Sequence, residues 1–424
     1  MINPKIVTNN NLPRVIFSPV KSDSLTILVM CRIGSRYEND MQAGVSHFVE
    51  HMLFKSTKNR IDSKQIAMDI EMIGGITNAF TSYDYTGYYI KVPAKVYEKA
   101  TEILGDIINN SVFKQTDFKK EKGVILEEIK MYNDRPTSRV AANWRREYYK
   151  HHALGRDIAG TLESVEALTL DTLKNYYSKY YSNKNFIISV AGDSKYEEGI
   201  VEAIFRYFQI QKPMSKLPIL ENVSSVSANK VIIEKKDLEQ AHIVLGFGVS
   251  GRQKQTEILS ELVNTIISEG FGSRLFQKLR EEMGIAYYLY SGFTLFNDSG
   301  RINIGFGTDL KKLHKVIEEV ISELNSLVNN GVESKELERA KNYYSSRIVF
   351  DAESTDELAA WVAERYVETG ELLSISKIIN NVDRITLDEI NGFLDTEFRN
   401  KELLISIVGN LEQDMGNMFN LKVG

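Results

Sequence analysis

The chain has 424 residues, of which 43% are hydrophobic and 26% charged, and a formal net charge of -5 at pH 7. That length exceeds what one hydrophobic core supports and predicts two or more domains, while the composition is that of a globular protein, far from disordered, collagen-like or membrane-embedded chains. With Lys and Arg scattered among a slight excess of acids there is no basic patch for a polyanion, so nucleic acid is not expected as a partner.

The opening, MINPKIVTNNNLPRVIF, has neither the apolar core of a signal peptide nor the Arg-rich amphipathic character of a transit peptide. No stretch approaches the 18 or so apolar residues of a membrane span. A cytoplasmic protein with no membrane partner is the expectation. Next, Leu25, Ile27, Val29, Cys31 and Ile33 alternate with other residues up to Arg36, the period of a half-buried strand. Cys31 is the single cysteine, which excludes an intrachain disulfide and is compatible with a reducing compartment.

The segment AGVSHFVEHMLFKST follows and carries His47, Glu50 and His51 in the order H-x-x-E-H. On a helix, positions i and i+4 lie one above the other, so both imidazoles reach one ion with Glu50 beside them. Val45, Phe48, Val49, Met52 and Leu53 surround them with apolar side chains, which predicts a helix mostly inside the protein. Paired histidines also occur on ordinary helix surfaces. Here, however, two of only six histidines bracket a glutamate, in the order known from catalytic zinc sites.

Residues 75–92 (GITNAFTSYDYTGYYIKV) read as a hairpin, and 95–109 as a helix. A second helix is predicted over TDFKKEKGVILEEIKMY, in which Glu121, Val124, Ile125 and Glu128 recur at i, i+3, i+4 and i+7. That places both acids on the apolar stripe, whereas Glu127 points away. A catalytic zinc takes three protein ligands and keeps a position open for water. Glu121 and Glu128 stand two turns apart, about 10 Å along the axis, so one ligand and one supporting partner is the natural division. Spacing alone leaves open which is which.

This plan returns at an offset of about 216 residues. The alternating run Ala241, Ile243, Leu245, Phe247, Val249 ending in Arg252 repeats the first strand, 284–307 repeats the hairpin, and 311–328 repeats the helix after it. Between the halves, 211–229 contains Pro213, Pro218 and several serines without helical period, which reads as a linker. The predicted organisation is therefore a domain over 1–210, a linker over 211–229 and a homologous domain over 230–424. The expected fold class is α+β, each domain a mixed, mostly antiparallel sheet with helices packed on one face. At the repeat offset, His47, Glu50 and His51 fall on Val263, Ile266 and Ile267, and Glu128 falls near Ser346, so only the first half is expected to hold metal.

In order, HFVEHMLFK, GGITNAFTSYDYTGYY, EKGVILEEIKMYNDRP, HALGRDIAG and GSRLFQKLREEMGIAYYLYSG resemble the pitrilysin-like, or inverzincin, metallopeptidases of family M16. They are most similar to the mitochondrial processing peptidase branch and its short bacterial relatives (M16B). The resemblance implies a zinc endopeptidase with one Zn2+ per chain that cuts short or unfolded peptides, presequences among them, in extended form inside an enclosed chamber. It implies His47, His51 and Glu128 as ligands, since Glu128 lies 77 residues past His51, where the family's third ligand falls. Glu121 matches a supporting glutamate and Glu50 the general base. Asn78, Ala79, Phe80 and Thr81 match a strand that holds the substrate backbone. Arg280 and Tyr287 match a pair brought to the substrate from a C-terminal-type domain, here expected from a partner subunit in a homodimer, or in a heterodimer with a zinc-free homologue. Ser46 and Asp84 depart from the usual Ala and Glu.

Overall fold

A computed structural model describes residues 2–9, 12–209, 215–221, 223, 229–411 and 419–424. Of the linker expected at 211–229, residues 211–214, 222 and 224–228 lie outside the described residues.

Packing divides the chain into two compact units, and each draws on both halves of the sequence. The first comprises Met1–Met131, Arg156–Leu220 and Val349–Lys377, and the second Tyr132–Gly155, Glu221–Ile348 and Ile378–Gly424.

The first unit is built on six strands, β1 (Lys5–Val7), β2 (Arg14–Pro19), β3 (Ser24–Cys31), β4 (Ile76–Thr81), β5 (Thr86–Pro93) and β6 (Phe186–Gly192), in the order β1-β2-β6-β3-β5-β4. Only the β2–β6 pair is parallel. Odd-numbered side chains of β3, from Leu25 to Cys31, enter the main core, as the alternation requires. Residues of β2, β5 and β6 join them, and helices pack on that side, among them α1 (Val45–Leu53), α2 (Ser63–Met72), α3 (Tyr97–Asn110) and α4 (Gln115–Asp134).

After α4 the chain passes into α5 (Pro136–Tyr149), which belongs to the second unit, and returns for α6 (Leu162–Ala167), α7 (Leu170–Tyr180) and α8 (Glu197–Tyr207). The second unit repeats the plan with β7 (Lys230–Lys235), β8 (Gln240–Val249), β9 (Tyr288–Leu295) and β10 (Gly300–Asp309). Two short strands, β11 (Lys401–Glu402) and β13 (Lys422–Val423), pair with each other, and β12 (Leu404–Gly409) completes a sheet of order β7-β12-β8-β10-β9. Helices α9 (Lys254–Ile267), α10 (Leu313–Asn330) and α11 (Ser334–Asp351) lead to α12 (Thr355–Thr369), followed by α13 (Ile375–Arg384) and α14 (Leu387–Glu397).

In addition to its main helical layer, each sheet has one helix on its opposite face, taken from the other half of the sequence. Even-numbered residues of β3 point away from the main core, and Thr26 Oγ1 meets Thr355 Oγ1 of α12 at 2.9 Å. Lys91 Nζ of β5 reaches Asp356 Oδ1 at 2.8 Å. In the second unit α5 does the same: Val140 and Trp144 pack on Val244, Leu404 and Val408, and Trp144 Nε1 donates to the Leu404 carbonyl at 2.8 Å. A large indole is thereby buried with its polar atom satisfied. The contiguous halves 1–210 and 230–424 thus exchange α5 and α12, because a sheet has two apolar faces to cover and the repeat unit's own helices cover one.

Candidate metal centre

Helix α1 buries Val45, Ser46, Phe48, Val49, Met52 and Leu53 and leaves His47, Glu50 and His51 half-buried on the remaining face. Helix α4 lies against it, with the Phe48 and Phe118 rings stacked at 5.0 Å. The buried stripe of α4 is Phe118, Glu121, Ile125 and Ile129; Val124, expected on that stripe, is 45% exposed. Glu128 stands at the border of the stripe, and Glu127 pairs with Lys130 at the surface.

Stacking the two helices brings three donors together. Glu128 Oε2 lies 3.8 Å from His47 Nε2 and 3.6 Å from His51 Nε2. These separations are too long for hydrogen bonds and close to the edge of a tetrahedral zinc shell, about 3.3 Å for bonds near 2 Å. Among the described residues, His47, His51 and Glu128 are the one group of three such side chains whose ligand atoms all lie within 4.8 Å of one another. Burial, with His51 alongside, pulls the His47 imidazole down to about 3, so at neutral pH it is uncharged and has a lone pair to give. Two imidazoles and a carboxylate are a catalytic zinc donor set, and the residues present fit that ion.

Glu121 is buried beneath the cluster. Its Oε2 lies 3.3 Å from His51 Nδ1, and its Oε1 accepts from Lys55 Nζ at 2.8 Å. Burial pushes this carboxyl upward, but the bonds from His51 and Lys55 outweigh it and hold it below the usual carboxylate range. A Glu121 carboxylate on Nδ1 leaves Nε2 as the free donor of His51. His47 lacks such a partner, since its Nδ1 is buried without a hydrogen bond.

Glu50 is held from another direction. Its Oε2 accepts from Thr81 Oγ1 at 2.5 Å. Burial raises the Glu50 carboxyl, the Thr81 bond and His51 lower it, Glu128 raises it again, and the net direction is upward. Asn78, Ala79, Phe80 and Thr81 all belong to β4, the edge strand of its sheet. The Ala79 amide donates to Asn78 Oδ1 at 2.9 Å, and the Phe80 ring lies over Gly87 on β5. Arg280 and Tyr287 belong to the second unit. Arg280 lies in a π-helical turn, Phe276–Glu282, with its guanidinium 5.1 Å from the Phe276 ring, and Tyr287 is 59% exposed just before β9.

Sequence reasoning missed two side-chain roles here. The sequence points to Thr81 through its backbone, whereas its hydroxyl touches Glu50. Lys55 was unassigned, although it stands four residues beyond His51, a spacing that points at the same neighbour on α4. In the second unit, Val263, Ile266 and Ile267 of α9, which correspond to His47, Glu50 and His51 at the repeat offset, are buried core residues.

Known proteins resemble this chain over most of its length. Residues 15–162 match the family model for insulinase (peptidase family M16), and residues 167–344 match that for the peptidase M16 inactive domain. The uncharacterised zinc protease YmxG of Bacillus subtilis is 34% identical over 392 residues, 92% of this chain and 94% of that protein. An uncharacterised zinc protease of Rickettsia felis is 32% identical over 90% of this chain and 91% of its own length. Among solved structures, a protease from Helicobacter pylori superimposes with a TM-score of 0.88 at 22% identity, covering 96% of this chain and all (100%) of that one. A chain of complex III2 from Candida albicans does so with a TM-score of 0.84 at 17% identity, covering 98% and 97%. At those identities the likeness is one of fold.

Proposed function

The chain belongs to peptidase family M16, the insulinase family, and from that premise we propose that it is a zinc-dependent endopeptidase acting on short or unfolded peptides, presequence-like ones included. The observation that carries the reading is the convergence of His47 Nε2, His51 Nε2 and Glu128 Oε2, with Glu50 on the same helix face. His47, His51 and Glu128 would hold zinc, which would supply Lewis acidity toward a water and the scissile carbonyl.

Glu50 does the proton work. Anchored by Thr81 and with its carboxyl shifted upward, it takes a proton from the attacking water and returns it to the leaving amine. The free edge of β4 supports binding of the substrate as an added strand, with Asn78, Ala79, Phe80 and Thr81 giving main-chain bonds. A docking peptide competes with Asn78 Oδ1 for the Ala79 amide. Arg280 and Tyr287 position the peptide or stabilise the developing charge, and we assign them to a second copy in a homodimer. Among the described residues no helix is long and apolar enough to cross a membrane.

The test is zinc content together with cleavage of a mixed peptide library by the wild type and by Glu50→Gln. Stoichiometric zinc with chelator-sensitive cleavage, lost in Glu50→Gln, supports the reading; a zinc-loaded wild type that cuts nothing overturns the stand-alone enzyme. For sharing between subunits, mixing Arg280→Ala with Glu50→Gln restores activity. No recovery despite proven subunit exchange rules sharing out.

A further inference from the structure

Helix α1 spans only nine residues, Val45–Leu53, too short to hold its own conformation in water, so its position comes from what ties its ends down. Its N-terminal residue Gly44 is left-handed (φ +94) and offers no side-chain cap. The unpaired amides at that end are met from six residues upstream. Glu38 Oε2 accepts from the Gly44 amide at 2.8 Å, and Glu38 Oε1 from the Ser46 amide at 2.7 Å. Glu38 is buried, 6% exposed, and its two oxygens meet the helix end where the amides of Gly44 and Ser46 have no partner within the helix. The next residue after Ser46 is His47.

The segment RDIAG, within the HALGRDIAG motif, closes on the same loop. Arg156 Nη2 donates to the Glu38 carbonyl, and Arg156 Nη1 reaches Asp40 Oδ1 at 2.7 Å. Ser164 Oγ donates to the Ala43 carbonyl at 2.9 Å. Gly44 and Gly160, both at positive φ, let the two backbones approach so closely that a Cβ on either would sit 2.6 Å from the other strand's carbonyl oxygen. From the other side, Ser46 Oγ meets Tyr176 Oη of α7 at 2.7 Å, which gives the unusual serine at this position a partner.

From this arrangement we infer that Glu38 is a positioning residue for the metal centre: its carboxylate sets the start of α1, and through it the placement of His47. The inference rests on the metallopeptidase reading. His47 Nδ1 is unpartnered, so the ring is placed by the α1 backbone and by packing, the His51 ring lying edge-on at 4.6 Å, with no hydrogen bond behind it. His51, in contrast, is braced by Glu121.

The experiment is zinc affinity, by competition with a chromogenic chelator, and peptide kinetics at saturating zinc, for Glu38→Gln and Glu38→Ala. Gln keeps the shape but turns one acceptor into a donor facing an amide. The expected result is an apparent zinc dissociation constant raised about 10–100-fold, as for other groups that orient a ligand. KM for the peptide stays within about twofold at saturating zinc, and Gln is milder than Ala. Zinc affinity unchanged in a folded Glu38→Gln, even with a lowered melting temperature, overturns the inference and leaves Glu38 a stability residue. If Glu38→Ala does not fold, the isosteric Gln variant decides alone. A wild type that takes up no zinc overturns the metallopeptidase reading itself, a result visible before any variant is made.

Discussion

Replacing Glu121 by Gln tests whether the support under His51 matters as its geometry implies. Glu121 Oε2 is 3.3 Å from His51 Nδ1 and Oε1 is 2.8 Å from Lys55 Nζ, and the residue is 3% exposed. Both bonds are charge-assisted or become so when the imidazole binds a cation. A Gln side chain has one acceptor, so it serves either His51 or Lys55 while its amino group faces the other. Losing the carboxylate therefore frees the His51 tautomer and lowers the basicity of Nε2. Loss of such a partner raises the zinc dissociation constant about 10–100-fold, or about 1.4–2.7 kcal/mol. The assay is chelator competition at pH 7.5, with Glu127→Gln as the control, since Glu127 lies on the same helix with its side chain 74% exposed. A Glu121→Gln protein within twofold of the wild type refutes the argument that Glu121 acts through His51.

Glu50→Gln is expected to keep zinc and to lose cleavage about 10²–10⁴-fold, the range for a removed general base; equal loss of metal would move Glu50 into the ligand set. Thr81→Val removes the bond to Glu50 and is expected to lower kcat about tenfold or more with zinc content intact, whereas Thr81→Ser retains most activity. Equal rates in Val and Ser variants would show that the hydroxyl does nothing for Glu50. In the second unit, burial, then the charges of Glu269 and Glu257, pushes the Glu261 carboxyl from near 4.5 up to about 7. The folded state then holds this proton more tightly than the unfolded one, so the group costs stability progressively from about pH 4.5 to 7 and fully above that. Glu261→Gln is expected to raise the unfolding free energy at pH 8 by at most about 3 kcal/mol, with a higher melting temperature, and to change little near pH 4.5. A variant equally or less stable at pH 8 contradicts this.

Local spacing by itself determined the helix that carries His47, Glu50 and His51 and the repeated sheet. The i, i+4 pairing of His47 and His51 on an apolar helix, and the alternation from Leu25 to Cys31 and from Ala241 to Val249, are properties of neighbours along the chain. A helix or strand turns them directly into faces. The apolar Val263, Ile266 and Ile267 at the repeat offset likewise point to the first half as the one with a ligand set, and among the described residues the one such group, His47, His51 and Glu128, lies there. Spacing could not divide Glu121 from Glu128, because that depends on where α4 crosses α1, and the crossing is set by packing such as that of Phe48 on Phe118.

The exchange of α5 and α12 was equally hidden, since an amphipathic period says that a helix buries one face but not against which sheet. Only the tertiary structure joined Thr81 to Glu50 and Glu38 to the start of α1. In these contacts the pattern is weak because the partner is a single oxygen, and it becomes visible only once the backbone has brought distant atoms within a hydrogen bond of each other.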